Sequence, residues 1–355
     1  MKPSPPLTRE ERLLKLAPPH ALRPESDPWG GAITQGAGGK LLSAALHDDN
    51  ALGVWLIDPN RTIREVAQVQ VGYHPDAVAA LAEDIVAVAV EGAGKISFWR
   101  LHTSSAPQSL GEITTPFPTR EIVAHDLDDD GQKDLILAPY KGTEVAILWG
   151  EGNLRFSAPQ KLGAALIPWH PKITDWNGDG HPDLIWSDWD TGSVRLYLNQ
   201  GQRKFALTML QPPQPGAPRQ LAVGDVDQDG RPDAVMAMST GKVARILFNR
   251  GDRPVEVVDV QAPSFGFVSA EVMKDGTLVL GEERRVFLVR RQQEGWTYRA
   301  LPAGSLPAPL LLNDLDHDGH EDLIIFHSAR GGTTITWGPL WERAQPFTLP
   351  APDKS

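Results

Sequence analysis

From residue 31 onward the chain alternates short runs of Val, Ile, Leu and aromatic residues with clusters of Gly, Asp, Asn and Pro. Apolar runs this short, bounded by turn residues, predict β-strands. A single helix signature precedes them. Thr8 and Glu11 form a capping box that predicts a short helix over residues 9 to 16, ended by Pro18 and Pro19.

The strand pattern is periodic. AHDLDDDGQKDLILAPY from Ala124, TDWNGDGHPDLIWSDW from Thr174, GDVDQDGRPDAVMAMS from Gly224 and NDLDHDGHEDLIIFHS from Asn313 all contain D-x-[DN]-x-D-G-x-x-D. Their first aspartates, Asp126, Asp175, Asp225 and Asp314, lie 49, 50 and 89 residues apart. The long interval holds a degenerate repeat, EVMKDGTLVLGEERRVFLV, that keeps Asp275 and Gly276. Upstream, Asp76 and Asp84 keep the eight-residue offset between first and last loop positions, and KLLSAALHDDNALGVWLID supplies one more pair of strands. Fifteen residues beyond the last loop position stand Trp99, Trp149, Leu198, Phe248 and Trp337, all large and apolar. Gly152, Gly201 and Gly251 follow where a tight turn would lead into a fourth strand. Seven such meanders fit between residues 31 and 349. They predict an all-β fold, a seven-bladed β-propeller of four-stranded antiparallel blades, with residues 1–30 as a proline-rich tail holding the short helix and 350–355 as a C-terminal tail.

The acidic loops have the composition of a calcium site. Oxygen ligands at alternate positions with a glycine for the sharp turn suit a hard cation that takes six to eight oxygens. An EF-hand would need glutamate at position 12, where this chain has Leu137, Trp186, Met236 or Ile325. A carboxylate stands instead at position 9, directly before a β run. The expected side-chain ligands are therefore Asp126, Asp128, Asp130 and Asp134; Asp175, Asn177, Asp179 and Asp183; Asp225, Asp227, Asp229 and Asp233; and Asp314, Asp316, Asp318 and Asp322. The carbonyls of Gln132, His181, Arg231 and His320 would complete about four Ca²⁺ sites.

Composition narrows the partners. Lys plus Arg number 34 against 45 Asp plus Glu, a formal charge of -11, so no basic surface is offered to nucleic acid. Cysteine is absent, which removes disulfides and thiolate ligands or nucleophiles. No apolar run is long enough for a transmembrane helix, and no signal peptide is visible in the first 30 residues. Neither G-x-S-x-G nor H-E-x-x-H occurs. Arg250-Gly251-Asp252 sits at the recurrent glycine turn, where polar residues are expected in any case, and Asn60-Arg61-Thr62 is a glycosylation sequon only in a eukaryotic secretory pathway.

With the acidic loop followed by Asp134-Leu135-Ile136-Leu137-Ala138-Pro139, a variant of a strand ending in Gly-Ala-Pro, the chain resembles the FG-GAP or VCBS repeat propellers, whose best-known relatives are the heads of integrin alpha subunits. The resemblance spans residues 31 to 349, although three of the seven repeats lack the full acidic loop. It implies a non-enzymatic, monomeric calcium-binding scaffold for protein or carbohydrate recognition and adhesion. That scaffold would be secreted, periplasmic or at the cell surface. Calcium-dependent polysaccharide lyases resemble these repeats as well and supply the alternative, a carbohydrate-active propeller enzyme.

If the acidic loops occupy one face, the first-strand entrances and second-to-third-strand turns occupy the other. That face would gather Arg120, Glu121, Trp169, His170, Arg219 and Gln220 from entrances and Tyr140 and Trp189 from turns. Aromatics beside polar forks suit a sugar or peptide. Trp176 and Trp186 occupy positions filled elsewhere by aliphatics and are assigned to the core. Trp169 and Trp189 have polar or small counterparts, so burial is less required of them; shielding of a blade edge is the leading expectation for both, and a stacking platform on the ligand face is the alternative that places them in the site. In the enzyme reading, Arg120, His170 and Lys172 would supply acid, base and charge stabilisation.

Overall fold

The computed structural model describes residues 20–349, apart from 165–166, 214–215, 264–265 and 294. Seven antiparallel sheets follow one another round a ring. Blade 1 is β2 (Pro28–Gly36), β3 (Gly39–Leu46), β4 (Ala51–Ile57) and β5 (Ile63–Gln70), and blade 2 is β6 (Pro75–Ala80), β7 (Ile85–Val90), β8 (Lys95–Arg100) and β9 (Gln108–Thr114). Blade 3 is β10 (Thr119–His125), β11 (Asp134–Pro139), β12 (Glu144–Leu148) and β13 (Gln160–Gly163). Blade 4 is β14 (Pro168–Thr174), β15 (Asp183–Asp188), β16 (Val194–Asn199) and β17 (Phe205–Gln211). Blade 5 is β18 (Pro218–Gly224), β19 (Asp233–Met238), β20 (Val243–Phe248) and β21 (Glu256–Gln261). Blade 6 is β22 (Ser269–Val272), β23 (Leu278–Gly281), β24 (Arg285–Arg291) and β25 (Trp296–Pro302), and blade 7 contains β26 (Leu310–Asn313), β27 (Asp322–Phe326) and β28 (Thr333–Thr336).

Strand alternation explains the ring. Successive side chains of a strand point to opposite faces of its sheet, and here both faces are apolar. Leu41 on β3 joins a core cluster shared with Val86 and Val88 of blade 2, whereas its neighbour Leu42 joins one shared with Ile324 and Phe326 of blade 7. Ile136 and Leu137 divide in the same way between blades 4 and 2. Trp176 and the fully buried Trp186 belong to such clusters, as assigned from sequence. The turn glycines Gly152, Gly201 and Gly251 have φ of 75°, 71° and 64°, the left-handed conformation the third-to-fourth-strand turn requires.

The structure revises the N-terminal boundary. His20–Leu22 is β1, which pairs with β28 as the outermost strand of blade 7, so residues 20–30 belong to the propeller and not to a tail. Three residues framed by prolines are too few to show a period-2 pattern. The predicted helix at 9–16 and the tail at 350–355 lie outside the described residues. A second closure is made by β29 (Gln345–Phe347), which follows the short helix α1 (Leu340–Arg343) and adds a fifth strand to blade 6 beside β25.

The register of blade 2 is also revised. Val86 faces Trp99 as Leu135 faces Leu148 in blade 3, so Trp99 is the counterpart of Leu148 and not of Trp149. The β6–β7 turn spans only residues 81–84. Asp76 therefore lies in β6, at the opposite end of the blade from the acidic loops, and is not a vestigial loop position.

If β1 closes the ring, Leu22→Ala should cost about 2–3 kcal/mol in denaturant unfolding, as for a buried leucine. An unchanged midpoint would show that β1 is dispensable.

Candidate functional site

The four acidic loops join first to second strands in blades 3, 4, 5 and 7. Each is wound about its first aspartate. Asp225 accepts from the N–H groups of Asp229 and Gly230 at 3.0 and 2.8 Å, and Asp126, Asp175 and Asp314 do the same in their loops. The glycine at position 6 has φ between 82° and 89° in every loop, which explains the invariance of that residue type among the four.

The aspartate at position 9 has a separate role. Asp134, Asp183, Asp233 and Asp322 are fully buried. Each accepts one N–H from position 2 of its loop and one from the end of the third strand or just beyond it. For Asp233 these are Val226 and Asn249, both at 2.9 Å; for Asp134 they are Leu127 and Gly150, both at 2.8 Å. Burial, with neighbouring aspartates adding to it, pushes Asp134 and Asp233 up to about 6 despite these bonds.

Carboxylate oxygens converge as a cation site requires. One oxygen each from Asp126, Asp128 and Asp134, from Asp225, Asp227 and Asp229, and from Asp314, Asp316 and Asp322 lie within 4.8 Å of one another. In the remaining loop the amide of Asn177 takes the third position. Oδ1 of Asp128 and of Asp227 is buried without a hydrogen-bond partner, a costly state for a carboxylate unless a cation meets it. The residues present thus fit a hard cation. Sequence reasoning missed their partial neutralisation. Arg203 of blade 4 reaches Asp128 at 2.7 Å, Arg291 of blade 6 and Arg250 reach Asp227 at 3.1 and 2.8 Å, and Arg61 of blade 1 reaches Asp316 and Asp318.

At the opposite end, five consecutive blades carry a β-bulge at the entrance of the first strand. Pro28 pairs with Leu46 and Gly30 with Ala45, leaving Trp29 as the extra residue. The same slip leaves Asp76, Arg120 and Arg219 extra in β6, β10 and β18, and falls at His170–Pro171 in β14. A bulge re-aims a side chain that regular pleating would send into a sheet face. Trp29, Asp76, Arg120, His170 and Arg219 accordingly line one cavity of about 240 Å³ at the mouth of the channel, together with Glu121, Trp169 and Gln220.

Six of the eight predicted ligand residues therefore share this cavity, and Tyr140 and Trp189 flank it. The guanidinium of Arg120 lies 4.7 Å from Trp29, 4.5 Å from Trp169 and 5.5 Å from Tyr140, while Arg219 lies 4.8 Å from Trp189. Trp169 and Trp189 are 4.5 Å apart. On the other side, Trp29 stacks on His47, and His47 on His74. Trp169 is buried, so its faces are used within the protein and not offered as a platform.

Trp29 was not singled out and Asp76 was placed with the loops, although a proline precedes each as it precedes Trp169 and Arg219. Asp76 is buried and meets His47 Nδ1 at 2.7 Å. Burial works against protonation of His47, but the bond to Asp76 and that group's charge outweigh it and raise the imidazole. His170, in a left-handed conformation at φ 48°, lies 3.4 Å from Glu121. Its imidazole is held below its ordinary value by burial, which Glu121 opposes and Lys172 reinforces. Lys172 pairs with Glu271 at 2.9 Å.

Fold and loops together define a seven-bladed propeller with repeated acidic turns. The model of the FG-GAP-like repeat matches residues 126–186 and 175–236, and the chain is accordingly a propeller carrying FG-GAP-like repeats, consistent with an integrin alpha-like propeller. No curated protein matches the chain. Among solved structures it is similar to a catalytically inactive virginiamycin B lyase from Staphylococcus aureus with quinupristin, at a TM-score of 0.61 and 13% identity over 90% of this chain and 98% of that one. A streptogramin B lyase gives 0.60 and 16% over 90% and 96%. The WD40 propeller domain of Doa1 gives 0.59 and 14% over 92% and 97%. Identities this low speak for the fold alone.

The two classes of loop aspartate should separate by mutation. Asp233→Ala strands two buried N–H groups and should cost about 2–5 kcal/mol with or without a chelator. Asp229→Ala, which gives up only partly exposed ties to Arg231 and Arg250, should destabilise the protein clearly more with calcium present than with a chelator. Equal effects in both conditions would merge the two roles.

Proposed function

We propose that the protein is an extracytoplasmic binding propeller, its loops on one face held by calcium and its ligand, a glycan or a protein segment, taken at the channel mouth on the other. The observation that carries this reading is the run of five bulges, each of which delivers a polar or aromatic side chain to one cavity. Calcium is supported by the converging aspartates and by the buried oxygens of Asp128 and Asp227 that lack a partner. Location outside the cytoplasm is supported by the FG-GAP-like repeats, which are typical of extracellular proteins. Among the described residues no helix is long and apolar enough to cross a membrane.

A second reading, catalysis, draws on His170 beside Glu121, its imidazole held below its ordinary value by burial, and on the fold shared with streptogramin lyases. In that reading His170 is the base and Arg120 or Lys172 stabilises developing charge. Release of unsaturated product or reducing ends from acidic and neutral polysaccharides, abolished by His170→Ala, would replace binding with turnover.

Two measurements test the binding reading. A chelator should lower the melting temperature, and metal analysis should find about four calcium ions per chain, reduced by one in Asp225→Ala. Each site contributes about 2.7 kcal/mol at a hundredfold excess of calcium over Kd, so a melting temperature indifferent to chelation would sink the metal assignment. A glycan and peptide array should yield a ligand whose capture is lost in Gln220→Ala while calcium content is retained. Capture unaffected by that change would move the site away from the mouth.

A further inference from the structure

We infer that Arg120 and Arg219 form an anion-reading pair and that the group entering the channel mouth is a carboxylate-bearing sugar, a uronate unit. The inference rests on the proposed role of the mouth as the binding face and names the class of its ligand.

The two arginines differ from their neighbours in having no carboxylate. Arg61, Arg195, Arg203, Arg245, Arg250 and Arg290 each meet an aspartate or glutamate within 3.0 Å. Arg120 and Arg219 meet only aromatic rings among the described residues. Contact with aromatic rings uses none of the in-plane N–H donors of a guanidinium for a hydrogen bond to a carboxylate, so they remain for a planar anion. The pair is also close enough to interact. Loss of solvent and the like charge of Arg120 together hold Arg219 below the usual arginine range. An anion between them would remove that repulsion and meet the fork of both side chains.

Two further groups on the cavity wall specify more than charge. Trp169 and Gln220 are 8% and 2% exposed, and both the indole N–H of Trp169 and the side-chain oxygen of Gln220 lack a hydrogen-bond partner. The amide nitrogen of Gln220 is already turned to Glu271 at 3.3 Å, which fixes its oxygen as the acceptor left over. A ligand complementary to this wall needs a carboxylate for the arginines, an acceptor for the indole and a hydroxyl donor for Gln220, Asp76 and Glu121. A uronate carries all three on one ring. The carboxylate of an acidic peptide side chain would enter on methylenes, with a backbone N–H and no ring hydroxyl as the donor nearest to it.

Trp29 and Trp189 are thereby positioning residues, Trp29 beside Arg120 and Trp189 beside Arg219, whereas Trp169 both flanks Arg120 and offers its N–H to the ligand.

Calorimetric titration with digalacturonate, galactobiose and a glutamate dipeptide tests the assignment. Digalacturonate should bind at least tenfold more tightly than galactobiose, with an affinity that falls as salt is raised. Arg120→Gln and Arg219→Gln should each weaken it tenfold or more while the melting temperature holds, because neither change strands a carboxylate. Arg120→Lys, which keeps the charge and loses the fork, should retain part of the affinity and serves where Arg120→Gln folds poorly. Equal binding of the two sugars, no binding of digalacturonate, or indifference to both arginine variants would overturn the inference. Tighter binding of the dipeptide would replace the sugar with an acidic peptide. A neutral array ligand lost in Gln220→Ala but retained in Arg120→Gln would leave the binding face in place and remove only the anion.

Discussion

Every sheet in this protein is apolar on both sides, and that single constraint accounts for the ring. A sheet with two buried faces cannot end a stack, because its second face would meet water over an area that hydrophobic burial strongly disfavours. Seven such sheets solve the problem only by returning to the first. Leu41 and Leu42, adjacent in sequence, face blades 2 and 7 respectively. The seam is reinforced accordingly. β1 completes blade 7 from the other end of the described chain, Lys40 of blade 1 donates to Asn313 of blade 7 at 2.7 Å, and Gly332 packs so tightly under the Leu22 and Arg23 carbonyls that no side chain fits there.

A closed ring frees both ends of its strands for other work, and the two ends use different devices. At one, buried aspartates at position 9 tie each acidic loop to the third strand with two N–H bonds apiece. At the other, bulges release one residue per blade from the pleat. The bulges lie on the innermost strands, which are fixed by packing on both faces, so the side chains they present are held by a rigid frame and not by long loops.

Much of this was legible in the sequence. Four acidic turns in register revealed the period, and the period revealed the fold, because repetition survives the loss of the loop in three blades. The opposite face could be assembled from strand entrances alone, and Arg120, Glu121, Trp169, His170, Arg219 and Gln220 do meet. What failed was local. Asp76 and Asp84 imitated the loop offset by chance, because the shortened turn of blade 2 removed the residues that anchor the count. β1 was too short to carry a pattern. The platform reading of Trp169 rested on its polar counterparts, yet a polar counterpart such as Arg120 or Arg219 can be the very group an indole packs against.

The acidic loops show why charge counted from sequence misleads. Crowded aspartates argue for a cation because like charges within one turn repel, but three of the four loops already meet guanidinium groups from the next blade round the ring, Arg203, Arg291 and Arg61. These ties alone do not replace a metal. An exposed ion pair contributes about 0–1 kcal/mol, and in Asp128 and Asp227 the arginine of the next blade, Arg203 or Arg291, takes one carboxylate oxygen while the other stays buried and unpartnered. The arginine thus joins neighbouring blades through an oxygen that a cation in the loop would not need, so that inter-blade attachment and metal coordination can share a single aspartate. Where position 3 is Asn177, Arg253 of the next blade lines the same cavity as the amide but makes no ion pair with the loop among the described residues, as expected if the guanidinium answers the carboxylate and not the loop.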